Sequence, residues 1–97
     1  MRVHMCAAIS TFLRMGSTQD ARVVKAAAAE IKARRGRLEI SQEELAHRAE
    51  VHRSFIARLE VGRSQPTLAV LVRIAAALEV DAAVLLQSIV KRSKREA

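Results

Sequence analysis

The stretch SQEELAHRAEVHRSFIARLE, residues 41–60, decides how this chain folds. Ser41-Gln42-Glu43-Glu44 has the spacing of a capping box, in which the Ser41 hydroxyl accepts from the Glu44 amide while the Glu44 carboxylate reaches back. A helix is therefore predicted to start there, with Leu45, Ala46 and Ala49 on its inner face. Val51 begins the next turn, and His52 to Glu60 repeats the pattern with Ile56 and Leu59 inward. Gly62 then supplies the left-handed residue that ends a helix. The result is two short helices joined by a tight three-residue turn.

Downstream, Gly62 to Thr67 holds the only proline, Pro66. Leu68, Leu71, Ile74, Ala75 and Leu78 recur at helical spacing, and Asp81 can cap a last helix with Val84, Leu85 and Ile89 inward. Upstream, ARVVKAAAAEIKARR is Ala-rich, with Val24, Ala28, Ile31 and Arg35 on one face. This segment reads as a helix capped by Asp20 and ending at Gly36 or Arg37. Residues 1–19 carry Val3, Met5, Ile9, Phe12 and Leu13 at loosely helical spacing and end in the Gly16-Ser17-Thr18 break, so an arm or weak helix is expected. No segment alternates with period 2. The expected architecture is all-α: a compact five-helix domain over residues 20–90, an N-terminal arm over 1–19 and a basic tail over 91–97.

Ninety-seven residues suffice for one small domain and exclude a catalytic barrel. Apolar residues make up 51%, yet aromatics only 2%, so Leu, Ile, Val and Ala must build the core. Lys and Arg number 17 against 10 acids, a net charge of +7, and 13 of the 17 are Arg. That excess points to a polyanionic partner, nucleic acid ahead of anionic membrane. The single cysteine, Cys6, cannot form an internal disulfide, which fits an intracellular protein. No apolar run approaches the roughly 18 residues a spanning helix needs. The acid-free first 19 residues have a faint likeness to a transit peptide. Met15 offers an alternative start.

A helix pair with a tight turn can set one helix across a DNA backbone and push the next into the major groove. The second helix here turns His52, Arg53, Ser54, Ala57 and Arg58 outward. An arginine fork meets guanine O6 and N7 together and discriminates by roughly 1–3 kcal/mol per good pair. The stretch ISQEELAHRAEVHRSFIARLEVGRSQPTLAVLVRIAAALEV resembles the lambda-repressor-like helix-turn-helix family of the Xre type. Several features coincide: Ser41-Gln42, Leu45-Ala46, Ile56 and Leu59, Glu60-x-Gly62, Pro66-Thr67-Leu68 and Ile74-Ala75-x-x-Leu78. The resemblance covers residues 22 to 86.

This resemblance implies that Arg53, Ser54 and Arg58 face base edges, with Gln42 near phosphate and sometimes bases. It implies that His52, Arg63 and Thr67 hold phosphates. It also implies a mostly buried bridge between Arg35 and Glu60, which makes Glu60 structural. Glu50 stands where the family usually has glycine, and Val61 replaces the usual asparagine. The chain contains no asparagine at all, so among nearby residues only Gln42 could read adenine by a side-chain amide.

Other residues carry plainer readings. Arg48 and Arg73 read as ordinary surface residues, Arg34 and Arg37 remain undecided, and Phe55 reads as packing. His47 and His52 are five apart across a turn and cannot face one metal; His4 and Cys6 make no closed site. Neither a metal nor a cofactor is expected. No histidine base with an orienting acid accompanies Ser41, Ser54 or Glu43, and no glycine-rich phosphate loop exists, so catalysis is not expected.

One recognition helix spans few base pairs, and specific affinity normally needs two half-sites about 34–36 Å apart read by a twofold dimer. The last helix, through Leu86, Ile89 and Val90, is the expected dimer interface, with the first helix's extension second. The expected function is that of a cytoplasmic, DNA-associated regulator of bacterial or phage type. It would bind a palindromic operator, blocking or recruiting RNA polymerase and controlling its own gene. Two related roles are a restriction-modification controller and an antitoxin whose residues 1–19 or 88–97 hold a toxin. A protein-only interaction module is a third class and predicts no salt-dependent DNA binding.

Overall fold

A computed structural model of the chain describes residues 2–95, with side chains described over residues 20–95. Five helices follow one another: α1 (Arg2–Arg37), α2 (Gln42–Ala49), α3 (Arg53–Glu60), α4 (Leu68–Ala77) and α5 (Ala82–Arg95). No strand occurs among the described residues. The all-α expectation is met.

Helix starts are fixed locally, by side chains that accept from otherwise orphaned amides. Ser41 Oγ accepts from Glu44 N at 3.0 Å, Thr67 Oγ1 from Val70 N at 3.2 Å and Asp81 Oδ1 from Ala83 N at 2.8 Å. Only half of the predicted capping box is made, because the Glu44 carboxylate accepts from Arg48 Nε at 2.9 Å, one turn on. At the start of α3 the cap is His52, whose Nδ1 accepts from Ser54 N at 3.0 Å.

Helix ends share one device. The amides of Ile40, Val51, Arg63 and Val80 reach back to the carbonyls of Arg35, Ala46, Arg58 and Ala75 at 2.9 to 3.4 Å. Each closure passes through a residue in the left-handed region: Glu39 (φ 56°), Glu50 (φ 58°), Gly62 (φ 77°) and Glu79 (φ 59°). Three of the four are glutamates, each bearing a left-handed penalty of roughly 1–2 kcal/mol. In return, Ile40, Val51 and Val80 are turned onto the core.

The helix-turn-helix side of the core joins Ile31 of α1 to Leu45, Ala46 and Ala49 of α2, Ile56 and Leu59 of α3, and Ile74 of α4. A second cluster sets Ala26 and Ala27 of α1 against Leu85 and Ile89 of α5 and Ala75 of α4. Alanines on α1 let α5 pack close. A buried carboxylate crosses this junction: Glu30 accepts from Arg34 Nε at 2.7 Å and from Arg92 Nε at 3.1 Å, while Arg34 also donates to Ser88 Oγ at 3.0 Å. Burial pushes the Glu30 carboxyl up, but the hydrogen bonds and charges of Arg34 and Arg92 outweigh it and leave the carboxyl below its usual value.

Four expectations are corrected. The backbone stays helical through Gly16-Ser17-Thr18, so there is no break and Asp20 lies inside α1 instead of capping it. One glycine and two hydroxyl residues lower helix propensity without breaking a helix as proline would. At 1.5 Å per residue, the 36 residues of α1 account for the 52 Å long axis of the molecule. Leu68, at the mouth of α4, is 78% exposed. In α5 the inward stripe is Leu85 and Ile89, four apart, which leaves Val84 exposed. For the same reason Ile89, 2% exposed in the intrachain core, cannot belong to a dimer interface.

Candidate nucleic-acid interface

The outward surface of α3 follows from its helical phase. At 100° per residue, Ile56, Leu59 and Glu60 occupy one side of the helix, and all three are buried. Arg53, Ala57, Val61, Ser54 and Arg58 fall in sequence around an opposite arc about 140° wide. Arg53, Ser54, Arg58 and Val61 are exposed, and Ala57 is half-buried. Arg53 and Arg58 thus mark the two edges of one convex strip, although their spacing in sequence puts them on no single stripe.

Beneath this strip lies an ionic anchor. Arg35 Nε donates to Glu60 Oε2 at 2.7 Å, and its second terminal nitrogen donates to Oε1 at 2.9 Å. The remaining terminal nitrogen donates to the Ile40 carbonyl at 2.8 Å. Hydrogen bonding to Glu60 raises the Arg35 pKa despite the opposing effect of burial. Gln42 Nε2 donates to the same Oε1 at 3.1 Å. One of its two amide hydrogens is thereby spent on tying the start of α2 to the end of α3.

At the leading end of α3, Ser54 Oγ lies 2.8 Å from His52 Nδ1, the same atom that accepts from Ser54 N. The Ser54 hydroxyl can both donate and accept. At the trailing end, Arg58 Nε donates to Ser64 Oγ at 3.3 Å, which links the outward strip to the α3–α4 connection. Arg63 and Thr67 are exposed on that connection, Thr67 as the cap of α4.

The structure thus groups His52, Arg53, Ser54 and Arg58 on one helix, with Arg63 and Thr67 on the segment that leaves it. Leu86 and Val90 lie elsewhere, on α5, beside Ala83, Gln87, Lys91 and Lys94 around an open groove. Arg73 is more than a surface residue: its Nε donates to the Ala49 carbonyl at 2.9 Å and closes the C-terminal end of α2. The Glu30 cluster also escapes sequence reading, since Arg92 lies 62 residues away. Its one local signal is the i,i+4 pair Glu30–Arg34. Among the described residues no group of three or more His, Cys, Asp or Glu side chains could hold a metal. None of the described helices is long and apolar enough to cross a membrane.

The helix-turn-helix family model HTH_3 matches residues 31–85. No curated protein sequence matches the chain. Among solved structures, the fold is similar to that of the clp gene regulator ClgR from Corynebacterium glutamicum. That likeness has a TM-score of 0.71 at 22% identity and covers 76% of this chain and 79% of that one. It is also similar to a point variant of the restriction-modification controller protein C.Esp1396I, with a TM-score of 0.67 at 28% identity over 71% of this chain and 87% of the other.

Proposed function

The chain belongs to the HTH_3 helix-turn-helix family, of the Xre or lambda-repressor-like type, and from that membership we propose that it is a sequence-specific regulator of transcription that binds duplex DNA. The observation that carries this reading is the α3 strip: Arg53, Ser54 and Arg58 stand exposed on a helix whose other side is locked to the body by Ile56, Leu59 and Glu60. In the major groove, the two arginine forks address guanine edges. Ser54, whose hydroxyl can donate or accept, addresses a base edge beside them. His52, Arg63 and Thr67 contact flanking phosphates and set the register. The functional unit is residues 20–90, with 1–19 as an N-terminal arm, helical over residues 2–19, and 91–97 as a basic tail. The chain carries no enzymatic activity in this reading.

Two copies act together on a near-palindromic operator, since one strip covers too few base pairs for genomic specificity. The α5 surface supplies the contact. Leu86 and Val90 are 47% and 38% exposed there, where a lone domain gains nothing from them. Likeness to a restriction-modification controller protein, over most of both chains, favours a controller-type regulator over an antitoxin.

The deciding measurement is binding of the whole protein to duplex from upstream of its own coding frame, in competition with random duplex and over a range of salt. Expected is a complex that resists random competitor and weakens steeply with salt. Absence of any complex at low salt would overturn the reading, and indifference to sequence would reduce it to non-specific DNA binding.

A further inference from the structure

We propose that the groove between α1 and the α3–α4 connection is a second seat for the DNA backbone, in which Lys25 binds a phosphate beyond those held from α3. This rests on the DNA-binding reading and extends it to a part of the chain outside the family match, which begins at residue 31.

The groove is open, about 570 Å³ in volume, and is walled by Asp20, Ala21, Val24 and Lys25 of α1 on one side and by Val61, Gly62, Arg63, Ser64 and Gln65 on the other. Val61 connects it to the recognition surface. That residue lies within the outward arc of α3, is 68% exposed, and also lines the groove. The groove therefore adjoins the outward surface of α3. Two cations point the seat toward an anion. Lys25 and Arg63 are both exposed, and neither takes part in an ion pair among the described residues. By contrast, Arg34, Arg35, Arg48 and Arg92 are all paired to glutamates.

Ser64 and Gln65 add hydroxyl and amide donors, groups that recur at phosphate contacts. Gly62, at φ 77°, has no heavy atom within 4 Å of where a Cβ would stand, so the backbone is open at that point. One carboxylate, Asp20, lines the same groove and opposes an anion. Its position makes the proposal testable in both directions.

The test uses the full chain and sonicated random-sequence duplex, so that no operator need be known. Affinity is followed against salt for the wild type and for Lys25→Ala, Arg63→Ala, Asp20→Asn and Lys91→Ala. Lys91 lies on α5 in a different groove and controls for the loss of one formal charge. Alanine is the best helix former, so Lys25→Ala should leave thermal unfolding unchanged. Each lost phosphate contact lowers the slope of log affinity on log salt by about 0.9 for duplex DNA. Lys25→Ala and Arg63→Ala should each show that drop, their double variant about twice it, and Asp20→Asn should bind more tightly at low salt. A wild-type slope in Lys25→Ala, or an equal drop in Lys91→Ala, overturns the groove proposal and leaves the DNA-binding reading standing. Failure of the wild type to bind any duplex overturns both.

Discussion

Arg35 and Glu60 meet through two parallel hydrogen bonds of 2.7 and 2.9 Å, across 25 residues of sequence. This pair fastens the last turn of α1 to the last turn of α3, and with it the orientation of the whole outward strip. The Glu60 side chain is only 2% exposed, so whichever partner is lost, the other is left charged away from water. Arg35→Ala and Glu60→Ala should each lower unfolding free energy by about 3–5 kcal/mol. Arg35→Lys should recover only part of this, since an ammonium cannot make the two-pronged contact and also reach the Ile40 carbonyl. Urea denaturation of the three variants checks the ordering; equal stability of Arg35→Lys and wild type would show that charge alone suffices.

Left-handed glutamates make the opposite kind of prediction. Glu50 holds φ 58° and ψ 45° in the turn between α2 and α3, and its side chain is exposed. Glu50→Gly removes a strain of roughly 1–2 kcal/mol and adds unfolded-state entropy worth roughly 0.4–1 kcal/mol. A net gain of about 0.5–1 kcal/mol is expected, read as a rise in Tm. Destabilisation would mean that the turn depends on the glutamate for something besides its backbone.

Stability should also fall in acid through Glu30. Its carboxyl titrates lower in the folded chain than its ordinary 4.5, so the unfolded chain binds the proton more readily. The contribution of Glu30 is therefore complete above about pH 4.5 and is lost as pH falls through the lower folded value. Glu30→Gln should flatten that part of the acid limb of the stability curve and cost stability at neutral pH, where Arg34 and Arg92 lose their anion. An unchanged acid limb in Glu30→Gln would place the titration elsewhere.

Sequence legibility divides along the range of the forces involved. Ser41, Gly62 and Asp81 are visible as helix punctuation because each acts within three residues. The inward pattern of α2 and α3 is visible because both helices face one apolar core. α5 is harder to read: its partner face on α1 is alanine, so Leu85 and Ile89 alone are inward and Val84 sits 100° away from Leu85. Nor does sequence announce that Arg73 caps α2 or that Arg92 reaches Glu30, because such pairings depend on how finished helices stack. The continuity of α1 past Gly16 is likewise a matter of degree, since breaker residues shift an equilibrium without dictating it.

Association through α5 is open to a direct check. Leu86→Asp places a charge at a position already half-exposed, so the fold should tolerate it within about 0.5 kcal/mol. If two copies meet through Leu86 and Val90, sedimentation equilibrium should show wild-type dimer and mutant monomer, and the mutant should lose operator affinity while its far-ultraviolet dichroism stays unchanged. Ile89→Asp is the contrasting variant: because Ile89 is core, it should unfold the α1–α5 junction instead of merely separating copies. A dimeric Leu86→Asp would move the interface elsewhere.

The sharpest consequence concerns the two edges of the α3 strip. Arg53 donates to no described partner, so its fork is free to meet a base, whereas Arg58 already gives its Nε to Ser64 and keeps only its terminal nitrogens for DNA. Arg53→Ala should therefore erase discrimination at one base pair per half-site, a loss of roughly 1–3 kcal/mol there, and leave preference elsewhere intact. Arg63→Ala should instead weaken cognate and random duplex by the same factor, because a phosphate contact carries no sequence information. Ser64→Ala separates the roles further: it releases Arg58 Nε, so it should alter preference at the base pair Arg58 reads while sparing the one read by Arg53. Competition binding with single-base operator variants distinguishes the three. If Arg53→Ala lowered affinity for all duplexes alike, the leading arginine would be a phosphate contact, and base reading would have to pass to Ser54 and Arg58.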